Sequence, residues 1–461
     1  MGQSDQGIRR ARELNHRMEV TRSLASFVVQ SRPGDISAAA RSEAKRSLVN
    51  WMGCALGGAH HDAVSIALAV LQSFSGPPQA AVLGRRERLD ILHAALVNGI
   101  SAHVLDFDDT HLRTLVHPSV PVASSLLALS EYRPMSGADF LHAFILGVEV
   151  ECRIANAVYF AHNVSWYITG TAGVFGAAAA VGRVLGLDEQ KMAWAFGIAG
   201  TQAAGLREMA GTMCKSFVHG RAAQNGMQAA LLAGQGFTSS ERVIEAPRGF
   251  AHVLASERNL DAITTGLGET WEINLNTYKP HACGVVCHPV IDGCIQLRNR
   301  HGVDPDRITS VALRVHPLAL KLTGIKAPRG GLESKWSIFH SAAVALIDGA
   351  AGEHQYGDTR VFDPRVTAVR ERVSAEADAA LREDEAHVVV TLDGGQAFSC
   401  HIEHALGSTD NPMRDTDLER KFIELAADTL PPAQTRKLID ACWAISGLVD
   451  VAEIARLAVP R

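Results

Sequence analysis

The sequence predicts a mainly α protein: a large all-helical domain interrupted, late in the chain, by a smaller α+β domain. Three observations predict it. Between about residues 20 and 270 the apolar residues recur at spacings of three and four, the helical period, and no βαβ alternation appears. After about residue 275 the period drops to two in ITSVALRVH (308–316) and in a pair of runs near residue 390. From Met413 onward the helical period returns. A chain of 461 residues is too long for one ordinary core, and the changes of period divide it at 1–275, 276–404 and 405–461.

In chain order, VTRSLASFVV, AKRSLVNWMGCAL, ADFLHAFILGVEVECRIANAV and QNGMQAALLAGQGF read as helices with one apolar face. The stretch from Gly170, GTAGVFGAAAAVGRVLGL, is broken by Arg183 and rich in Gly and Ala, so it reads as a buried core helix rather than a bilayer span. VVVTL and AFSCHIE flank Asp393-Gly394-Gly395, a tight-turn signal that makes them a hairpin. SIFHSAAVALIDGA (337–350) and PRVTAVRERV read as helices, as do DLERKFIELAADTL and AQTRKLIDACWAISGL in the tail.

Composition excludes several classes. A net charge of −5 gives no electrostatic case for nucleic acid or an anionic membrane. The N-terminus has no apolar run of a secretory signal; Asp5, Glu13 and Glu19 argue against a transit peptide, and Gln6 spoils the acylation motif that Gly2 would begin. Eight cysteines scattered along the chain read as reduced thiols of a cytoplasmic protein, not as a disulfide framework or an iron–sulfur site. No phosphate-binding loop, dinucleotide fingerprint, zinc-peptidase helix or serine-hydrolase elbow occurs.

The run Asn98 to Ser130, NGISAHVLDFDDTHLRTLVHPSVPVASSLLALS, sets three carboxylates and three histidines in an otherwise apolar segment. His103, Asp106 and Thr110 fall at i, i+3 and i+7, one face of a helix, and His117 precedes the Pro that starts the next helix. Such groups, once desolvated, need partners or a chemical role. The bland reading is a helix end capped by Asp109 or Thr110. LDFDDTH followed by HPS resembles the signature of the MmgE/PrpD family, which includes 2-methylcitrate dehydratases, cis-aconitate decarboxylases and an iminodisuccinate epimerase. The resemblance runs from about residue 22 to 450. It implies a helical domain with an α+β lid inserted before its last helices, and a homodimer.

Four further segments carry polar groups. In GLREMAGTMCKSFVHGRAAQNG, Lys215, His219 and Ala222 repeat at i, i+4 and i+7, aiming an amine and an imidazole along one helical face; the resemblance implies an active-site lysine at Lys215. In AHNVSWYITGTAGVFG, Tyr167 stands where the family's dehydratases and decarboxylases usually carry a histidine after Trp. In KPHACGVVCHPVID, Cys283, Cys287 and His288 lack a second ligand pair for zinc, so Lys279 and His288 are read as facing the substrate. In TGIKAPRGGLESKWSIFHSAAVALIDG, basic Lys326, Arg329 and Lys335 precede a helix whose His340 is the implied lid contribution.

The expected site therefore has Asp106, His117, Tyr167, Lys215 and His219 as acid–base groups. His103, Thr110, Lys279, His288 and His340 hold substrate, and neither metal nor cofactor is expected. A set of Lys, His, Asp, Thr and Tyr suits a small polycarboxylate that loses the proton next to a carboxylate. Loss of hydroxide, loss of CO₂ and reprotonation on the other face all branch from that carbanion. Dehydration of the 2-methylcitrate type leads, epimerisation follows, then decarboxylation. A carboxylate-binding scaffold is the non-enzymatic alternative.

Overall fold

Helices occupy most of the chain before residue 275: Val20–Gln30, Ala38–Gly58, Ile91–Val104, Ser119–Ser130, Gly137–His162, Ile168–Leu185, Glu189–Gly200 and Cys214–Gly234 are the long ones. The computed structural model describes residues 19–162 and 165–460. Gly2, Asp5, Gln6 and Glu13, with the readings of targeting signals placed on them, lie outside the described residues, as do Asn163 and Val164. Several helices begin at side-chain caps that accept orphan N–H groups: Ser37 from Ala40, Asp90 from Leu92 and His93, Asp188 from Lys191. Ile168–Leu185 is long and apolar enough to cross a bilayer, yet 83% of it is buried inside the protein.

Small residues let the central helices approach closely. Cys214–Gly234 packs against both Ile168–Leu185 and Ile91–Val104. Where it crosses the latter, a Cβ on Gly220 would stand 2.3 Å from Leu96 O, and one on Gly99 would stand 2.6 Å from Gly220 Cα. Backbone cannot yield as a flexible side chain can, so only glycine fits both sides of this crossing. Gly220→Ala is expected to destabilise the protein by about 2 kcal/mol, read as a lower urea midpoint. An unchanged midpoint would mean that the two helices have slack. The crossing matters because one helix carries His103 in its last turn and the other carries Lys215 and His219.

The α+β part is built on a four-stranded sheet with spatial order Val373–Ala377, Ile308–Val315, Ala386–Leu392, Ala397–Ile402. The first pair is parallel and the others antiparallel. Val311, Leu313, Val388 and Val390 are buried on its inner face, against the helices His288–His301 and Ile338–Asp348. The hairpin turns at Gly394 and Gly395, whose φ values of +85° and +86° require glycine-like freedom. One expectation needs correction: the helix beginning at Pro364 stops at Arg370, and Val373–Ala377 is a strand. Its place beside Ile308–Val315 overrides the local helical pattern. The chain then returns to the helical layer, where Asp415–Ala426 and Pro432–Trp443 lie on Ala38–Gly58, with Phe422 seated over Gly53.

Candidate active site

The helix Ile91–Val104 ends one turn before its acidic motif does. Asp106 has φ +53°, the left-handed region that a non-glycine residue rarely adopts. Residues 107–109 turn inward, and Thr110–His111 pairs with Asn276–Thr277 as a two-residue ladder. The helical face expected for His103, Asp106 and Thr110 is therefore not formed. The reason is hydrogen bonding: Asp108 and Asp109 are completely buried, and their partners lie in different directions. Asp109 accepts from Ser119 and Asn276. Asp108 accepts from His103 Nδ1 at 2.9 Å and stands 3.2 Å from His117 Nδ1.

Three imidazoles gather behind this loop. The His103 and His219 rings stack with centroids 3.4 Å apart, and His117 meets His103 edge-on at 4.6 Å. Each Nδ1 has an acceptor: Asp108 for His103, Asp109 O at 3.0 Å for His117, and Lys215 O at 2.8 Å for His219. The acceptors fix the tautomer, so each neutral ring carries its lone pair on Nε2. The Nε2 atoms of His103 and His219 are buried with no partner. Burial lowers both rings, His103 to about 3, which keeps them neutral near pH 7. For Asp108 burial works the other way, but the two imidazole N–H groups outweigh it and hold its carboxyl well below the usual range.

Two ammonium groups meet at Asp106. Lys279 Nζ donates to Asp106 Oδ1 at 2.7 Å and to its carbonyl at 3.0 Å. Lys215 Nζ stands 2.9 Å from the same Oδ1, at an angle that leaves its N–H groups unspent. Its charge also lies 4.8 Å from the Trp336 ring centroid and 5.9 Å from that of Tyr167. Burial lowers the Lys215 amine, whereas for Lys279 the Asp106 carboxylate overcomes burial and holds the amine above its ordinary value. Asp106 itself is kept well below the carboxylate range, because the two lysines outweigh its burial. Asp106 Oδ2 has no partner.

These groups line a cavity of about 520 Å³. Its polar lining is Asp106, Thr110, His117, Tyr167, Arg207, Lys215 and Lys279, and its apolar lining includes Leu115, Ile168, Val285, Val286, Leu322 and Trp336. Leu115 has φ +56°, so both left-handed non-glycine residues among those described border the cavity. Tyr167 is the residue preceding Ile168–Leu185, held by its N–H to Gly205 O at 2.9 Å, and burial pushes its phenol up. At neutral pH it is a hydrogen-bond donor and not a base.

Burial pushes the Asp109 carboxyl up to about 6, against the two donors that favour its charged form. A raised carboxyl pKa contributes stability in full below the unfolded value of about 3.9 and loses it as pH rises through 6. Asp109→Asn has no proton to lose. Relative to wild type it is expected to gain about 2–3 kcal/mol of stability between pH 4 and pH 7.5, followed by urea unfolding at both pH values. Parallel stability curves would contradict this.

Residues 22–263 match the family model of the MmgE/PrpD N-terminal domain, and residues 281–445 that of the MmgE/PrpD C-terminal domain. The chain belongs to the MmgE/PrpD family. It is 27% identical to a cis-aconitate decarboxylase of Mus musculus, over 95% of this chain and 93% of that one. Identity is 24% to a cis-aconitate decarboxylase of Aspergillus terreus, over 96% of each chain. With a 2-methylcitrate dehydratase of Cupriavidus necator it is 25%, over 88% of this chain and 90% of the other.

Of the residues expected in this MmgE/PrpD site, His103, Asp106, Thr110, His117, Tyr167, Lys215, His219 and Lys279 come together, and two do not. His340 is enclosed, its Nε2 bound to Gln355 O at 2.9 Å and its ring beside Tyr356. His288 starts the helix His288–His301 and packs edge-on against His281, on a smaller cavity beyond Val285 and Val286. The α+β part instead contributes Trp336 to the cavity. Sequence reasoning also passed over Asp108, Asp109 and Arg207. The first two stood in the motif already singled out; Arg207 had only its place in the glycine-bounded segment as a signal. Cys283 and Cys287 are free buried thiols. His103, Asp106, Asp108 and His117 bring ligating atoms within 4.8 Å of one another, but Asp106 is taken by two ammoniums and Asp108 by two N–H donors. A cation there would displace both sets and meet two lysine charges, so the donor set fits an anionic guest better than a metal.

Proposed function

We propose that this MmgE/PrpD protein is a cofactor-independent lyase that removes the proton next to a carboxylate of a small di- or tricarboxylate. A hydro-lyase of the 2-methylcitrate dehydratase type is the first reading. The observation that carries it is the Asp106 carboxylate between two buried ammoniums, on a cavity shared with His117 and Tyr167. His117, backed by Asp108, takes the proton at Nε2, the arrangement of a carboxylate-oriented general base. The electron pair moves into the adjacent carboxylate, whose growing charge Lys215 and Arg207 stabilise from the cavity wall. Collapse of that dianion expels hydroxide from the next carbon. A proton from Lys215, whose amine burial has lowered, turns the hydroxide into water, while the Tyr167 hydroxyl holds the departing oxygen.

Decarboxylation of the cis-aconitate type is the second reading. It is favoured by relatives that align over 95% and 96% of the chain and by the apolar lining, which suits a carboxylate that leaves as CO₂. Epimerisation needs groups able to begin as a base on either face, and the raised Tyr167 phenol counts against it. The test is NMR in D₂O with 2-methylcitrate, citrate and cis-aconitate. A hydro-lyase converts a hydroxy acid to its alkene or the reverse, a decarboxylase releases CO₂, and an epimerase exchanges only the α-hydrogen. A protein that does none of these and fails to bind them is a scaffold, and the reading falls.

The same proposal includes a homodimer. Leu206, Met213 and Phe217 are 51%, 41% and 43% exposed on the helical layer, an apolar cluster that a second subunit would cover. Leu206 and Phe217 border an open groove of about 1030 Å³. Light scattering at micromolar concentration is expected to give twice the chain mass of 49.3 kDa; the monomer mass would refute it.

A further inference from the structure

Three consecutive carbonyls at the bend after Ile91–Val104 each accept from a buried lysine, and the three lysines come from three parts of the chain. Lys335 donates to Leu105 O, Lys279 to Asp106 O at 3.0 Å, and Lys421 to Phe107 O at 2.6 Å. A helix C-terminus ends in carbonyls without intrahelical partners and carries partial negative charge, so cations are favoured there. Ordinarily one cation or a glycine suffices, and here three fully enclosed ammoniums converge. Lys421, on the tail helix Asp415–Ala426, also donates to Asn50 Oδ1 at 2.7 Å and Lys279 O at 2.9 Å, and its charge lies 3.8 Å from the Phe107 ring centroid. Its three protons are thereby spent. Lys335 also pairs with Glu353.

We propose that Lys335 and Lys421 are positioning residues which, by gripping the carbonyls on either side of Asp106, hold it in its left-handed conformation with Oδ1 between Lys215 and Lys279. Neither lysine borders the 520 Å³ cavity; Lys335 borders a smaller one behind it with Asp106 and Lys215, and its amine is engaged by Leu105 O and Glu353, so both lysines act on the site through Asp106. The left-handed backbone of a non-glycine residue relaxes unless its surroundings fix it; with either lysine gone, Asp106 turns away from Lys215. The site is then complete only when the α+β part, through Lys335, and the tail helix, through Lys421, are both docked. This inference rests on the reading of Asp106 and Lys215 as the central pair of the site.

The test measures the pair directly and needs no substrate. The chain has nine lysines, few enough to resolve by ¹³C NMR of protein labelled at lysine Cε, with Lys215→Met assigning the Lys215 signal. Lys215 is faced by Asp106, by Lys279 across it and by Asp108 further away. In Lys421→Met the Lys215 titration midpoint is expected to fall, on the order of one pH unit, toward its position in Asp106→Asn. The sign is diagnostic: deleting a nearby cation by charge alone raises a lysine midpoint, and only displacement of the Asp106 anion lowers it. Lys335→Met is the second arm, and it decides the matter if the Lys421 variant fails to fold. Midpoints that stay put or rise in the folded Met variants, while Asp106→Asn lowers its own, overturn the positioning role alone. No shift even in Asp106→Asn overturns the reading of the site and this inference with it.

Discussion

Asp106→Asn is expected to lower kcat/KM by about 10³-fold or more on whichever polycarboxylate the wild type turns over. The change keeps the shape and removes the charge on which two buried ammoniums depend. Lys215, already lowered by burial, loses the carboxylate that most opposes that effect, so its amine is lowered further. The anion that holds it in place beside the cavity is also gone, so it is less well set to attract a substrate carboxylate or to give a proton. Stability falls as well, by about 3 kcal/mol, because removing one partner leaves enclosed charge uncompensated. The pH dependence follows from the depressed Asp106 carboxyl. A depressed carboxyl contributes stability above its unfolded value of about 3.9 and loses it as pH falls through the folded value. The penalty of Asp106→Asn is therefore largest near neutrality and shrinks below about pH 4. Rates within tenfold of wild type, or equal urea midpoints at pH 7, would remove Asp106 from the centre of the site.

What was legible in the sequence was local chemistry, and what was not was direction. Lys215 and His219 could be placed on one helical face because helical spacing fixes which side chains share a face, and Cys214–Gly234 is a helix throughout. Asp106 and Lys279 stood out as charges in apolar surroundings, although nothing in their separation of 173 residues says that they meet. The same periodicity failed at 103–110, where inward hydrogen bonds of Asp108 and Asp109 took precedence over continuing the helix. His288 and His340 show a further limit. A buried imidazole that fills a packing niche and one that faces a cavity look alike in sequence, and only the backbone acceptor at Gln355 O distinguishes His340. Lys335 and Lys421 were legible only as basic residues on amphipathic segments. Their target is the backbone of residues 105–107, and backbone carbonyls leave no trace in a pattern of side chains.

Tyr167→Phe is expected to slow turnover by about 10²–10³-fold, the usual loss of one donor aimed at charge that develops in the transition state, with little change in the unfolding midpoint. The ring keeps its packing beside His219, 5.6 Å between centroids, and only the hydroxyl goes. A turnover loss without a stability loss separates a reacting hydroxyl from one that merely fills space; equal and small effects on both would assign Tyr167 to packing. Its raised phenol stays protonated across the neutral range, so wild type and Tyr167→Phe should share the same pH limbs, while absolute rates differ. A limb that vanishes in the variant would mean that the phenol ionises during turnover and would raise epimerisation above both lyase readings. Tyr167→His tests the same point from the other side. Dehydration and decarboxylation need a donor at this position, which an imidazole can provide, so activity of at least a tenth of wild type is expected. An imidazole keeps one N–H donor in its neutral form, so under a lyase mechanism Tyr167→His should keep its activity across the neutral range, as wild type does. Wild-type enzyme that exchanges α-deuterium into a chiral diacid, releasing neither water nor CO₂, would instead establish the epimerase branch and displace the lyase reading.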